Sequence, residues 1–313
     1  MGILILGVIL IPFLTSLFLK VIGKFLNELL TNFITLNAAM LSVATSFFLF
    51  GYIFFDKFKP LKFELFQWFP NPEINFEFYL DGLSGVMMVL ICGLSLVIQL
   101  FSTSYMSKDE NYTKYFEYFN FFVFSMLLLV LSGNFLVMFF GWELVGLSSY
   151  LLISFWSEKK SAARAGNKAF ILNRIGDFGF LIGLMMILNE FQTFNFLRIF
   201  ESSLETIPEN LDVIIVFLLL GAFGKSAQFP LFSWLPDAME GPTPASALIH
   251  AATMVTAGVF MLVRISPILQ FSELSSLIII SMGLLTALIA AFAAINQKDI
   301  KKVLAYSTIS QLG

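Results

Sequence analysis

Long apolar runs separated by short charged segments constrain this chain more than any other feature of its sequence. An α-helix needs about 20 apolar residues to cross the ~30 Å hydrocarbon core of a bilayer, whereas a membrane-spanning strand shows alternation over about 10. The runs therefore predict an all-α, polytopic membrane protein with about nine or ten transmembrane helices. The predicted spans lie at roughly 2–19, 31–55, 81–101, 116–133, 134–155, 168–189, 211–228, 243–265 and 272–295, with another that starts near 302.

The composition excludes several classes of function. Of the 313 residues, 58% are hydrophobic and 12% are charged, and there is one His and one Cys. Soluble domains carry about 25% charged residues, so this chain has too little charge to cover a soluble catalytic domain. One His and one Cys cannot ligate haem or an iron–sulfur cluster, and the sequence has no phosphate-binding glycine loop and no basic nucleic-acid patch. We therefore expect no cofactor, no metal and no nucleic-acid partner, and a packing role for Cys92.

Lysine and arginine in the short loops predict the orientation of the helices, because these residues concentrate on the inner side of a membrane. The loops at 158–164 and 298–302 are basic and four spans apart, which places both inside, with the lysines of 298–302 in solvent. The acidic connection 190–212 is predicted to lie outside and to contain a short interfacial amphipathic helix at 192–203. The proline-rich segment 56–80 is predicted to be extramembrane and irregular.

Three ionisable residues fall inside predicted spans, where a charge costs about 2.5–3.5 kcal/mol and is seldom incidental. Glu143 lies near the middle of the fifth span, Lys225 deep in the seventh and His250 in the eighth. Ser246 and Thr253 accompany His250 at i, i+4, i+7 spacing, so the three side chains are predicted to share one helix face. Such a polar stripe can hold water molecules.

The seventh span is predicted to be a broken helix. Gly221, Lys225 and Gln228 follow i, i+4, i+7 spacing, and Pro230 and Pro236 then interrupt the apolar run. Proline removes a backbone donor and clashes with the preceding turn. Lipid cannot satisfy the carbonyl groups that a break frees, so a broken helix at membrane depth lines a cavity or is buried in protein.

Together these residues predict a proton path. A lysine ammonium in a low-dielectric site gives up its proton readily and holds it when a carboxylate is near, so movement of Glu143 relative to Lys225 would toggle the lysine. His250 would pass the proton on. The alternative is a static Glu143–Lys225 ion pair that only fixes helix packing. Supporting roles are predicted for Lys168, Arg174, Asp177, Ser246 and Thr253.

Five segments also carry a resemblance to a known family. They are FYLDGLSGVMM at 78–88, GWELVGLSSYLLISFW at 141–156, GNKAFILNRIGDFGF at 166–180, GKSAQFPLFSWLPDAMEGPTPASALIHAATMVTAG at 224–258 and KKVLAYSTISQLG at 301–313. These strings resemble the subunit 5 family of NADH dehydrogenase, the large antiporter-like subunits of respiratory complex I. The resemblance covers the chain from about residue 78 to its end and rests on several motifs.

The resemblance implies an antiporter-like fold of two inverted five-helix repeats, each with a broken helix. Helices 1–3 would occupy 1–115 with an outside-facing loop, the first repeat of helices 4–8 would occupy 116–265, and 266–313 would begin the second repeat. In that family Glu143 matches the glutamate of the fifth helix, Lys225 the broken-helix lysine and His250 the histidine that leads to a central hydrophilic axis. Asp177 matches a supporting carboxylate.

The resemblance further implies a proton-translocating subunit of NADH:ubiquinone oxidoreductase without a redox centre of its own. FMN, iron–sulfur clusters and ubiquinone are expected in other subunits, and the neighbouring antiporter-like subunit, other membrane-arm subunits and lipids are the expected partners. The mitochondrial inner membrane is the expected location, because 39 Phe with one Cys and one His suit an organellar genome. A bacterial plasma membrane is the alternative.

Two further questions remain open at the level of sequence. A subunit of a multi-subunit cation/proton antiporter would use the same residues, and a purely structural membrane scaffold would need none of them to titrate. The last apolar segment holds about eleven residues before Gly313. We expect the remaining helices of the second repeat either from a separately encoded second chain or from a longer form of this one.

Overall fold

The computed structural model describes residues 1–70, 73–251 and 253–313 and is predominantly helical. A single β-hairpin, formed by strands β1 and β2, interrupts the helices of this described part. The α-helices are α1 Gly2–Ile22, α2 Glu28–Phe55, α3 Gly82–Tyr105, α4 Tyr112–Val130, α5 Phe135–Ile153, α6 Lys160–Phe191, α7 Phe196–Glu205, α8 Leu211–Lys225, α9 Thr243–Ala251, α10 Thr256–Arg264, α11 Ser266–Leu269, α12 Glu273–Ile295 and α13 Ile300–Leu312, and the strands are β1 Leu61–Pro70 and β2 Glu73–Leu80.

The membrane-spanning character of the chain is confirmed. Among the described residues, six helices are long and apolar enough to cross a bilayer, namely α1 with its short extension, α2, α3, α5, α6 and α12. The other predicted spans correspond to α4, to α8, to α9 with α10, and to α13. These are more polar, broken or short, which is why length and hydropathy alone do not single them out.

A completely buried aromatic core lies around α4. Tyr115, Phe116, Phe119 and Phe122 of this helix are completely buried, and α1, α3 and α5 pack against it. On the α5 side, Gly141 lies so close to α4 that an added Cβ would be 2.5 Å from the backbone nitrogen of Leu129. Small residues at such contacts let helices approach closely, so dispersion forces can hold them together without a hydrophobic driving force.

The prediction of an irregular segment at 56–80 is wrong. β1 pairs antiparallel with β2, in a register that joins Leu61 to Leu80 at one end and Pro70 to Glu73 at the other. Both strands are rich in aromatic side chains, which favour strands, although the apolar–polar alternation of β1 is lost after Glu64, where the register shifts. Of the prolines that suggested irregularity, Pro60 lies just before β1 and Pro70 at its last position, where a missing donor does not interrupt the pairing, while Pro72 lies outside the described residues.

The seventh span is broken, as its prolines predict. α8 ends at Lys225, Ala227 has a left-handed φ of 50°, and the Phe229–Pro230 peptide bond is cis. Two short 3₁₀ segments follow, at Leu231–Trp234 and Asp237–Glu240. Gln228 lies beyond the helix and donates to the Ser226 carbonyl at 3.0 Å, so the predicted shared face of Gly221, Lys225 and Gln228 is wrong.

The eighth span is also broken, which the sequence reasoning did not anticipate. α9 ends at Ala251 and α10 begins at Thr256. Thr253 lies between them, and its hydroxyl donates to the Leu248 carbonyl at 2.5 Å. A threonine hydroxyl that takes a backbone carbonyl competes with helical hydrogen bonding. The prediction that Thr253 shares a continuous helix face with Ser246 and His250 is therefore wrong.

The predicted interfacial helix at 192–203 exists, although it starts four residues later, as α7 Phe196–Glu205. Asn195 caps its start, with its side-chain oxygen accepting from the backbone N–H groups of Leu197 at 3.1 Å and Arg198 at 3.3 Å. Such a cap satisfies donors that the first turn leaves without partners. The cap, rather than the apolar periodicity, fixes where this helix begins.

Candidate functional site

The end of α8 places Lys225 in a closed pocket between α5 and α6. Glycines of α6 allow the close approach: an added Cβ on Gly176 would lie 2.9 Å from the Leu220 carbonyl oxygen of α8. On the α5 side, a Cβ on Gly146 would lie 2.8 Å from Nζ of Lys225. The side chain of Lys225 is 0% exposed. The glycines therefore create the space in which a lysine can be buried at this depth.

Asp177 is the counter-charge of Lys225. Its Oδ2 lies 3.1 Å from Nζ of Lys225, and its Oδ1 accepts from Nε1 of Trp142 at 2.7 Å. The Trp142 ring also faces the ammonium, with its centroid 5.9 Å from Nζ. Each carboxylate oxygen thus has one donor. A buried pair with these few hydrogen bonds is only partly compensated for the loss of water, so it is sensitive to any nearby charge.

The static Glu143–Lys225 ion pair, which the sequence analysis gave as the alternative, is not present in this structure, and the movement of Glu143 relative to Lys225 stays a prediction. Glu143 instead forms an ion pair with Arg174 of α6. Trp142 and Gly146 lie four positions apart on one face of α5, and this face contacts Lys225. Glu143 is one residue further round the helix, by about 100°, and reaches a different part of α6.

The two ion pairs are linked through α6. Arg174 and Asp177 are three positions apart, and side chains at this spacing are neighbours on a helix surface. Arg174 is partly exposed, with 42% of its side chain accessible, and its guanidinium also lies over the Phe170 ring at 4.8 Å. Asp177, by contrast, is 3% exposed. Movement of a charge in the partly exposed Glu143–Arg174 pair therefore changes the electrostatic potential at the buried Asp177–Lys225 pair.

His250 lies beside a separate cavity of about 510 Å³ between α9, α10 and α13. Neither ring nitrogen of His250 has a hydrogen-bond partner among the described residues, and the same holds for the hydroxyl oxygen of Ser246. Both residues line the cavity, together with Lys301, Ser307, Thr308 and Gln311 of α13. The volume is ample for several water molecules, which need polar partners of this kind.

The sequence analysis predicts that Lys301 lies in solvent, but in the structure its side chain binds the protein backbone. Its Nζ donates to the backbone carbonyls of Met239 at 2.6 Å and Gly241 at 3.2 Å. From α6, Nζ of Lys168 lies 2.6 Å from Oδ2 of Asp237, with about two-fifths of each side chain exposed. The 3₁₀ segment that follows the break in the seventh span is therefore held from both sides by lysines.

A partly buried ion pair, which the sequence reasoning missed, joins the start of α3, next to the hairpin, to the end of α10. Arg264 donates from Nη1 to Asp81 Oδ2 at 2.5 Å and from Nη2 to Asp81 Oδ1 at 3.0 Å. Burial opposes the charge of Asp81, but Arg264 and Ser84 outweigh it and hold the pKa of this carboxyl below its usual range. The available signal was an arginine at the end of an apolar run, directly before a short loop.

A polar cluster under the hairpin was also missed. Oε1 of Glu77 accepts from Nδ2 of Asn195 at 2.7 Å and from Nδ2 of Asn134 at 3.3 Å. Burial raises the pKa of Glu77, and these two hydrogen bonds offset part of the rise. Glu77 thereby ties β2 to the start of α5 and to the start of α7.

Two family descriptions match this chain. "NADH:quinone oxidoreductase/Mrp antiporter, TM" matches residues 132–313, and "NADH-Ubiquinone oxidoreductase (complex I), chain 5 N-terminus" matches residues 68–116. The first match covers every helix of the candidate site.

Full-length relatives are similar over nearly the whole chain. NADH-ubiquinone oxidoreductase chain 5 of Acanthamoeba castellanii is 45% identical over 318 residues, which cover 97% of this chain and 47% of that protein. NADH-quinone oxidoreductase subunit L of Neisseria meningitidis serogroup B is 41% identical over 322 residues, with the same two coverages of 97% and 47%. The chain thus spans about half the length of the curated relatives it matches.

Solved structures share the fold. A chain of the Mrp complex from Dietzia sp. superposes with a TM-score of 0.86 at 28% identity, covering 99% of this chain and 33% of that one. A chain of an archaeal membrane-bound sulfane sulfur reductase superposes with a TM-score of 0.87 at 24% identity, covering 100% of this chain and 63% of that one. The second likeness is one of fold alone.

Proposed function

Since the chain belongs to the NADH:quinone oxidoreductase/Mrp antiporter family of membrane proteins, we propose that it forms a proton-translocating part of a complex I membrane subunit. Its redox chemistry would take place in other subunits, which hold the FMN, iron–sulfur clusters and quinone. The 45% and 41% identities to chain 5 and subunit L support this assignment over a cation/proton antiporter subunit, for which the identity is 28%.

The observation that carries the proposal is the Lys225–Asp177 pair at the end of a broken membrane helix. Lysine can give up its proton when buried, and here a single carboxylate at 3.1 Å favours its charged form. Weakening that one contact leaves a charged ammonium in a dry pocket, which is costly. The lysine then releases its proton, and renewed contact with Asp177 allows it to accept another.

Arg174 supplies the element that weakens the contact. In the present structure it is paired with Glu143. An Arg174 side chain that leaves Glu143 can reach along α6 toward Asp177, which lies one turn away, and compete with Lys225 for the carboxylate. In this scheme Glu143 controls the proton on Lys225 indirectly, through Arg174 and Asp177. The relay from Glu143 to Lys225 thus has two intermediate charges.

His250 is the proposed acceptor on the far side of the break. His250 and Ser246 line the cavity of about 510 Å³, and their unpartnered nitrogens and hydroxyl oxygen lie buried beside it. Water molecules in the cavity would lead on to Lys301 and the polar residues of α13. An imidazole both accepts and donates protons.

Substitutions in the complex that contains this chain test the proposal. Lys225→Met and Glu143→Gln are expected to lower the number of protons moved per electron in proteoliposomes, while the complex still assembles. Lys298→Met serves as the matched control, since this lysine is exposed and outside the pairs. A wild-type ratio in both test variants contradicts the proposal, and sodium-dependent proton exchange without coupling to NADH oxidation supports an antiporter instead.

Other membrane subunits are the proposed partners, with lipids on the remaining apolar surface. α12 is largely exposed along its length, with Leu277, Ile280, Leu284 and Phe292 each more than 60% accessible. We propose the mitochondrial inner membrane as the location, supported by a eukaryotic relative at 45% identity, with a bacterial plasma membrane as the alternative.

A further inference from the structure

We infer that the Ser226 hydroxyl couples the two broken helices and so positions the Lys225 site relative to the His250 site. Ser226 follows Lys225 directly and is 3% exposed. Its Oγ donates to the backbone carbonyl of Val255 at 2.7 Å. Val255 precedes α10 and lies in the break of the eighth span. One hydrogen bond thus joins the residue next to the buried lysine to the segment that follows His250.

The backbones of α8 and α10 pack so closely at this contact that no side chain fits between them. An added Cβ on Gly258, in the first turn of α10, would lie 2.3 Å from Oγ of Ser226 and 2.6 Å from the carbonyl oxygen of Ala222. Real Cβ contacts are essentially never shorter than 3.0 Å. Glycine therefore lets α10 pack directly on the last turn of α8. A displacement of this turn must move Val255 and Gly258 with it.

Other hydroxyls at the breaks bond within their own span. The Thr253 hydroxyl donates to the Leu248 carbonyl at 2.5 Å, and the Thr256 hydroxyl donates to the Thr253 carbonyl at 2.8 Å. Ser226 reaches from one span to the other. Its own backbone N–H continues the helical pattern, with a bond to the Ala222 carbonyl at 2.9 Å. Its side chain is therefore a link between the breaks rather than a cap of its own helix.

The link matters because each break carries one station of the proposed proton path. When Asp177 is drawn away from Lys225, the last turn of α8 is the part of the backbone free to respond, since it ends in a break. The hydrogen bond passes that response to Val255, and thus to the segment between His250 and α10. Loss of one neutral hydrogen bond changes a two-state equilibrium by about 2- to 12-fold. The inference rests on the proposed function of Lys225.

The test compares Ser226→Ala, Ser226→Cys and Ser125→Ala in the purified complex reconstituted into proteoliposomes, with Lys225→Met as reference. Ser125 is also fully buried, but its hydroxyl donates to the Phe121 carbonyl of its own helix at 2.7 Å. Cysteine fills the site with a slightly larger group than serine and is a weak donor. Protons moved per electron are measured per assembled complex, so that a smaller amount of complex does not affect the ratio.

Both Ser226 variants are expected to lose at least half of the proton-per-electron ratio that Lys225→Met loses, while Ser125→Ala keeps the wild-type value. If Ser226→Ala does not assemble, Ser226→Cys is judged alone by the same criterion. A wild-type ratio in Ser226→Cys shows that the side chain only fills space and overturns the inference, while a loss in Lys225→Met leaves the proposed function standing. A wild-type ratio in Lys225→Met overturns both.

Discussion

The Asp81–Arg264 and Asp177–Lys225 ion pairs differ in the cation that faces the aspartate and in the number of hydrogen bonds between the two partners. Asp81 meets the guanidinium of Arg264 through two parallel hydrogen bonds, whereas Asp177 meets the ammonium of Lys225 through one. Arginine stays charged in proteins, and its fork matches a carboxylate, while a buried lysine can lose its proton.

The surroundings of the two pairs differ in the same sense. Arg264 lies over the rings of Tyr79, Phe260 and Phe196 at 5.4 to 5.8 Å, and Asp81 also caps α3 through Ser84. The pair therefore belongs to a rigid junction. Lys225 ends a helix at a break, and the glycines beside it leave its ammonium group tightly packed, with one contact to Asp177. The comparison teaches that the more deeply buried pair, that of Lys225, is the one with the single hydrogen bond and the cation that can lose its proton.

The largest expected effect comes from breaking the arginine pair. Arg264→Ala leaves the Asp81 carboxylate, which is 22% exposed, without its partner and is expected to destabilise the protein by about 2–3 kcal/mol, because its charge-assisted hydrogen bonds are lost. We expect a large loss of assembled complex, measured on native gels and by thermal unfolding in detergent. An assembled complex with wild-type thermal stability would show that the junction does not depend on this pair.

The second effect tests the exchangeable pair without removing its charge. Lys225→Arg keeps a cation beside Asp177 but cannot release a proton, so proton movement per electron is expected to fall as far as in Lys225→Met. Assembly should be retained better than in Arg264→Ala. Normal pumping by Lys225→Arg contradicts the proposal that Lys225 itself gives up a proton.

The reciprocal substitution sharpens the comparison. Arg264→Lys keeps the charge beside Asp81 but loses the second hydrogen bond, and is expected to lower stability by about 1–2 kcal/mol. The proton-per-electron ratio of the complex that assembles should equal that of wild type. A lower ratio would mean that Arg264 takes part in translocation and is more than a structural residue.

The smallest effect belongs to an ion pair at the surface. Lys168→Met removes the contact with Asp237, in which about two-fifths of each side chain is exposed, and is expected to cost about 0.2–1 kcal/mol. Because Lys301 still holds the same 3₁₀ segment, proton translocation should change little. A loss of pumping comparable to that of Lys225→Met would assign Lys168 to the proton path.

Much of the helical plan could be predicted from the sequence, since apolar runs about 20 residues long have few alternatives in a membrane. The break after Lys225 was predictable for the same kind of reason: Pro230 acts on its own backbone. The break after His250 was not, because no proline marks it and Thr253 acts through a hydrogen bond to Leu248. The hairpin was missed because its prolines, read without their place in the strands, suggested irregularity.

By itself, the sequence determined a polytopic helical membrane protein of this family, with Glu143, Lys225 and His250 as ionisable residues inside it. Only the tertiary structure decided which charged residues pair with each other. Asp177 lies 48 positions from its partner Lys225, and Asp81 lies 183 positions from its partner Arg264. The physical reason is that membrane depth and helix propensity are properties of a local segment, whereas the partner of a buried charge depends on helix rotation and close packing. At Lys225, that packing is set by the glycines of α5 and α6.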